Sequence, residues 1–269
     1  MLYGTPGVGK SMLAKAAAEL LPDLSDAQIA SGALTQDDDG FAVSQRRAPF
    51  RQPHHTSSYA ALIGNPKRSG EVSLAHNGIL FLDEMAEIDR RALESLRQPL
   101  ESKRVLINDG SKNIILQADF ILIGTMNPCR CGYHGSVTRK CTCLSLSVQR
   151  YNDKISGPIS DRIDLWVYLT ERDARNNPHD KGRSVSGKDM RRQVITVRKS
   201  KEELPAALPI SEDAANALIQ ASEKFHFSKR SEASILRISE TIARIEESET
   251  VEERHMLEAL SFRKKEKRG

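Results

Sequence analysis

Residues Gly4-Thr5-Pro6-Gly7-Val8-Gly9-Lys10-Ser11 read G-x-x-x-x-G-K-[ST] without departure. In this spacing the glycines let the backbone wrap so that its N–H groups converge on phosphate oxygens. Lys10 reaches toward β- and γ-phosphates, and Ser11 offers a hydroxyl to Mg²⁺. Gly4, Thr5, Pro6, Gly7, Val8, Gly9, Lys10 and Ser11 are therefore the expected nucleotide cradle, with ATP and Mg²⁺ as ligands. A second set of acids follows about seventy residues later, where Ile79-Leu80-Phe81-Leu82 runs into Asp83-Glu84. Four apolar residues ending in two acids suit a buried parallel strand that delivers carboxylates to the end of a sheet. Asp83 is expected to hold Mg²⁺, and Glu84 to polarise an attacking water as general base. Alone, such a pair is as readily an acidic helix start; joined to the phosphate loop it becomes specific. A further apolar run, Phe120 to Thr125, ends in Met126-Asn127-Pro128 and places Asn127 beside the expected γ-phosphate.

All four cysteines lie within fifteen residues, as Cys129-Arg130-Cys131 and Cys141-Thr142-Cys143. In a chain expected to be cytoplasmic this clustering favours metal over disulfides, and four thiolates suit a closed, structural, tetrahedral Zn²⁺ site. C-x-C is tighter than the usual C-x₂-C spacing, and reduced free thiols are the alternative. His54-His55 is a weaker signal, because adjacent side chains rarely point at one ion; packing or hydrogen bonding in a loop is the ordinary reading.

These groups need elements to hold them. A helix is expected from Lys10 to about Leu21, its positive end facing the anion. Met1-Leu2-Tyr3 reads as the last residues of a strand. Three residues fall short of the about five a central strand usually has, so the chain is expected to be a fragment of something longer. Ile88 to Leu100 reads as a helix. Lys103 to Leu116 reads as a β-hairpin around Asn108-Asp109-Gly110-Ser111. Arg162, in Ser160-Asp161-Arg162-Ile163-Asp164, is either a plain salt-bridge arginine or an arginine finger. Composition shifts after Thr170. Residues 171–189 are polar and read as a linker, and helices follow at 190–203, 211–224, 230–246 and 252–264, with Ile235, Ile238, Ile242 and Ile245 at helical spacing. The expected organisation is an ATPase core at 1–170, a linker at 171–189 and a helical lid at 190–269.

Composition sets outer bounds. The chain has 269 residues, 39% hydrophobic and 28% charged, with a net charge of +4. That suits a globular protein with an ample core. No run approaches the ~18 apolar residues of a membrane span, and no secretory signal pattern opens the chain. Basic residues gather at Arg172–Lys201 and in the Arg263–Arg268 tail; both read first as solvated surface.

Together these motifs resemble an AAA+ ATPase, and more narrowly the magnesium-chelatase-related branch, closest to the ComM (YifB-like) competence protein family. The resemblance covers nearly the whole chain. It is carried by Pro49-Phe50-Arg51-Gln52-Pro53-His54-His55-Thr56, by Gly70 to Gly78, by the Asp83-Glu84 strand, by Leu96-Arg97-Gln98-Pro99-Leu100-Glu101, by Met126-Asn127-Pro128-Cys129 and by Ser156-Gly157-Pro158 through Asp164. It implies a P-loop AAA+ α/β fold, a parallel sheet with flanking helices, a helix-2 insert, a β-hairpin and a small all-α lid. By the same resemblance Lys10 and Ser11 match Walker A, Asp83 and Glu84 Walker B, Asn127 sensor 1, Arg162 the arginine finger and Arg230 sensor 2, with Arg237 as the fallback. Residues 46 to 70 match the helix-2 insert, and the hairpin matches the pre-sensor 1 hairpin. In ring-shaped relatives both line the pore, which makes Lys67, Arg68 and Lys112 the candidates for contacting a nucleic-acid backbone. The family's N-terminal Lon-like domain has no counterpart in this sequence, and residues 171 to 205 match the family poorly.

Three functions follow from the resemblance. The first is an ATP-hydrolysing homo-oligomeric ring, expected to be a hexamer, acting on DNA as a branch-migration helicase in transformation or recombination. The second is the ATPase subunit of a magnesium chelatase, remodelling a partner for porphyrin metallation. The third is an assembly module that binds ATP without turning it over; the presence of both Glu84 and Arg162 argues against it.

Overall fold

The computed structural model describes residues 1–32, 46–110, 113–171, 186–203 and 207–264. The chain divides into two compact units: residues 1–159 with 168–184, and residues 160–167 with 185–269.

The first unit is built on a five-stranded sheet. Its strands are β1 (Leu2–Gly4), β2 (Phe50–Arg51), β5 (Ile79–Leu82), β8 (Ile121–Met126) and β9 (Val167–Leu169), in the order β2-β5-β8-β1-β9. The β2–β5, β5–β8 and β8–β1 ladders are parallel. Helices flank the sheet, giving the P-loop α/β architecture expected from the motifs. Ile79 to Leu82 are all buried, as a strand covered on both faces requires. Although β1 has three residues, it occupies an inner position between β8 and β9, and Met1 and Leu2 are buried. The apolar start of β8 is not equally buried: Ile121 is exposed, and full burial begins at Gly124.

Two small hairpins complete this unit. β3 (Gly64–Asn65) pairs antiparallel with β4 (Arg68–Ser69), just after a short helix, Tyr59–Ile63. β6 (Arg104–Asn108) pairs antiparallel with β7 (Asn113–Gln117), which is the hairpin the turn residues announce. Val105 and Ile107 point into the unit, while the cross-strand pair Leu106 and Ile115 is exposed. The helix expected over Ile88–Leu100 is broken into Arg90–Glu94 and Arg97–Ser102. Pro99 is the reason: it has no N–H to give to the Ser95 carbonyl one turn back.

The second unit is helical, with helices Gly187–Glu203, Glu212–Phe225, Lys229–Ile245 and Glu253–Ser261. Ser211 and Ser228 cap the second and third by accepting from the N–H groups of Ala214 and Ser231. Ala214, Ile235, Ile242, Ala243, Val251, Met256 and Ala259 form its core. Ile235 and Ile242 are the buried members of the isoleucine series, Ile238 packs against the same core, and Ile245 is exposed at the helix end. Residues 160–167 group with this unit, whereas the compositional boundary drawn at 170 puts them in the ATPase core. Most of the linker expected at 171–189 lies outside the described residues, as do the Lys265–Gly269 end of the basic tail and Ser111-Lys112 at the hairpin tip. Among the described residues no helix is long and apolar enough to cross a membrane.

Candidate functional site

Parallel register brings the chemistry together. Tyr3 lies opposite Met126, and Leu82 opposite Gly124, so the carboxyl ends of β1, β5 and β8 are nearly level. The phosphate loop, Asp83-Glu84 and Asn127 leave those three neighbouring ends, which is where open α/β sheets bind ligands. Lys10 Nζ donates to the carbonyls of Gly4 (2.7 Å) and Thr5 (2.8 Å) and to Asn127 Oδ1 (3.0 Å). Ser11 Oγ donates to the Asp83 carboxylate, 3.2 Å from each oxygen. Lys10 is half-buried, and burial lowers its pKa from the ordinary 10.5, against the opposing pull of Asp83 and Glu84.

Thr125 is a member of this site that sequence reasoning passed over as the end of a strand. Its Oγ1 donates to Asp83 Oδ1 at 2.6 Å and accepts from the Glu84 N–H at 2.9 Å. One hydroxyl thus fixes the orientation of Asp83 and the backbone of Glu84. The available signal was a lone hydroxyl at the carboxyl end of an apolar strand. Glu84 adopts a left-handed conformation, φ 50° and ψ 47°, with its side chain exposed. A non-glycine residue held there carries strain, and such strain concentrates at functional positions.

The loop has the form of an anion cradle. Gly7 and Gly9 have φ of 82° and 86°, which side-chain-bearing residues rarely adopt. The backbone N–H groups of Gly7 through Ser11 have no acceptor among the described residues, and the buried Thr5 Oγ1 lacks a partner there too. Donors left over at a helix start are what a phosphate satisfies. The Ser11 hydroxyl shared by both Asp83 oxygens is the donor set that Mg²⁺ takes, so the residues fit both ligands.

The cysteines converge. Cys129 Sγ lies 3.3 Å from Cys131 Sγ and 3.7 Å from Cys141 Sγ, Cys131 and Cys141 are 3.6 Å apart, and all four sulfurs lie within 4.8 Å of one another. Four sulfurs at 2.3 Å from a tetrahedral Zn²⁺ stand about 3.8 Å apart, so the cluster has the right size. Backbone N–H groups of Tyr133 and Thr142 aimed at Cys131 pull its thiol down to about 5. The cluster adjoins the Gly4–Ser11 loop. Gly132 packs on the Pro6 ring, 2.6 Å from where its Cβ would be. Tyr3 OH donates to the Pro128 carbonyl (3.5 Å) and to Asn152 Oδ1 (3.4 Å), and Asn152 Nδ2 donates to the same carbonyl at 3.4 Å. Burial pushes the Tyr3 phenol up to about 12, keeping it a neutral donor.

Other expected residues stand elsewhere. Lys67 and Arg68 are exposed on the β3–β4 hairpin, and Lys112 lies outside the described residues. Arg162 and Arg230 belong to the second unit, Arg230 in the first turn of the Lys229–Ile245 helix and Arg237 3.6 Å from Asp164 Oδ1. His54 and His55 stack on each other at 4.1 Å, and His54 Nδ1 meets Thr56 Oγ1 at 2.8 Å, the loop role first assigned to them.

Comparison with known proteins agrees with this geometry. The competence protein ComM of Haemophilus influenzae is 33% identical over 98% of this chain, and a protein named YifB from Escherichia coli matches equally well over the same share. The match takes in 55% of each relative, so the chain spans about half their length. The DNA replication licensing factor mcm-6 of Caenorhabditis briggsae is 23% identical over 96% of the chain and 32% of its own length. The family model for magnesium chelatase subunit ChlI matches residues 1–177, and the model for its C-terminal part matches residues 180–263. The two matches between them take in both units of the fold: the chain belongs to the magnesium chelatase subunit ChlI family of AAA+ proteins.

Proposed function

We propose that the chain is the ATP-hydrolysing part of a ring-shaped DNA motor of the ComM type. The observation that carries this reading is the convergence of Lys10, Ser11, Asp83 and Asn127 at three adjacent strand ends. On this reading Lys10 exchanges its carbonyl partners for the β- and γ-phosphates, and the Gly7–Ser11 N–H groups cradle them. Ser11 and Asp83 hold Mg²⁺, which offsets phosphate charge. Glu84 takes the proton of the attacking water, and Asn127 positions that water. Arg162 of a neighbouring copy meets the charge that develops in transfer, and Arg230 is the proposed sensor 2 arginine. A homo-oligomer, expected to be a hexamer, follows from a site completed by a neighbour's arginine.

DNA is the proposed track. Support comes from the competence protein and the replication licensing factor among the relatives, and from the exposed Lys67 and Arg68 on the β3–β4 hairpin. Such contacts would be to backbone phosphates and would weaken with salt. The chelatase alternative, remodelling a partner for porphyrin metallation, rests on the description of the family models alone, whereas relatives matched over 98% of the chain include the competence protein ComM. The four cysteines are proposed to hold a structural Zn²⁺ that keeps the Asn127 loop in place. The deciding experiment is Glu84→Gln in the wild-type background. ATP affinity should be unchanged while turnover falls by about 10²- to 10⁴-fold, and DNA should stimulate the wild type. Wild-type turnover in E84Q, or indifference to DNA, would sink the respective half of the proposal.

A further inference from the structure

The segment that carries Arg162 is tied to the helices of its unit through Asp161, Ile163, Asp164 and Trp166. The Asp161 carboxylate accepts from Ser231 Oγ at 2.6 Å and from Ser228 Oγ at 3.0 Å. These two serines form the N-terminal cap of the Lys229–Ile245 helix, whose first turn contains Arg230. The Asp164 carboxylate accepts from Ser234 Oγ and faces Arg237 at 3.6 Å. The Trp166 backbone N–H donates to the Phe262 carbonyl at 2.7 Å, and the Trp166 side chain is buried. Arg263 spans the whole arrangement. Its guanidinium donates to Ser231 Oγ (2.7 Å) and to the carbonyls of Ile163 (3.3 Å) and Asp164 (3.5 Å), and lies 4.0 Å from Asp161. Burial lowers the Arg263 pKa, with Asp161 and Asp164 opposing.

Both acids flanking Arg162 are therefore used up in holding the segment. Asp161 binds the cap of the helix on which Arg230 stands, and Asp164 binds one turn further along. A capping hydroxyl and a neighbouring carboxylate joined in this way fix two backbone stretches against each other. We propose that Asp161 and Arg263 are positioning residues that hold the trans-acting Arg162 in place against the start of the Lys229–Ile245 helix. The inference rests on the arginine-finger reading of Arg162 given above.

Complementation between inactive variants tests it in the assembled protein. Lys10→Ala disables a copy's own site and leaves its finger; Arg162→Ala does the reverse. Mixing these two should restore turnover, because the hybrid interface has both an intact loop and an intact finger. Asp161→Ala should lose about 10²-fold in turnover, the cost of a misplaced catalytic group, with ATP affinity unchanged. Mixed with Lys10→Ala it should regain activity, and mixed with Arg162→Ala it should stay silent. Rescue by neither would make Asp161 a prop of the copy's own site and overturn the proposal. So would wild-type turnover in Asp161→Ala. If Arg162→Ala itself turns over normally, the finger reading falls, and the positioning role of Asp161 with it. Should Asp161→Ala melt below the assay temperature, Asp161→Asn carries the same comparison. It keeps one acceptor oxygen for the serines and loses the charge facing Arg263, so its loss should be smaller with the same pattern of rescue.

Discussion

The sheet-end site and the Asp161–Asp164 segment carry complementary parts of the proposed chemistry, and they are held by different physics. At the sheet ends, parallel backbone ladders set the positions of Gly4, Asp83 and Asn127 before any side chain acts. Side-chain bonds such as Thr125 to Asp83 then refine orientation. Around Arg162 no strand holds the backbone between Ser160 and Trp166. Carboxylates, serine hydroxyls and the Arg263 guanidinium do that work. The difference teaches where each region should be fragile. A backbone ladder survives the loss of one side chain. A tether made of charge-assisted hydrogen bonds loses its geometry when one partner is removed, because the other is left half-buried and unmatched.

Three experiments press on that contrast, beginning with the largest effect. Lys10→Ala should leave the fold intact and weaken ATP binding by about 2–5 kcal/mol, or about 30- to 4,000-fold. Arg162→Ala should leave binding alone and reduce turnover only. Calorimetric titration of both variants checks the split, and weakened binding in Arg162→Ala breaks it. Next, Cys131→Ser should remove the bound metal and lower the melting temperature by about 4–8 °C, as expected for a loss of about 2 kcal/mol in a protein of this size. Metal analysis alongside thermal melting decides this, and a metal-free wild type with the same melting temperature would falsify the zinc assignment.

The smallest effect concerns pH. Burial lowers Lys10 below 10.5 in the free protein. Between that lowered value and 10.5 the unfolded chain holds more protons than the folded one, so stability from this group rises with pH. Phosphate reverses the balance by favouring the charged lysine. ATP affinity should therefore be flat below the lowered pKa and fall across the same window, by at most about tenfold per pH unit for one proton taken up. Titrations in buffers of differing ionisation enthalpy, at alkaline pH, should report that uptake. An affinity independent of pH there would mean that phosphate does not replace the carbonyls of Gly4 and Thr5.

Much of the nucleotide site was legible because its motifs are local. G-x-x-x-x-G-K-[ST] encodes a loop whose geometry follows from glycine dihedrals within eight residues. The Ile79–Glu84 run encodes strand and carboxylate in one stretch, and the clustering of the cysteines anticipated four sulfurs meeting. The helical unit was legible from isoleucine spacing and from Ser211. Pro99, by contrast, was read as part of one helix although its missing N–H interrupts it. The apolar run from Phe120 to Thr125 does not reveal where the strand leaves the cover of its neighbours, and Ile121 is exposed.

By itself, then, the amino-acid sequence determined the loop, the acids, the position of Asn127 after its strand and the sulfur cluster, because each is specified by residues within a few turns of backbone. Tertiary structure alone decided that Thr125 orients Asp83, that Gly132 packs on Pro6, and that Asp161 and Arg263 meet across about a hundred residues of chain. Those contacts depend on which strands pair and which helix cap faces which loop. That choice is made by burial and hydrogen-bond satisfaction over a whole unit, and no local pattern records it.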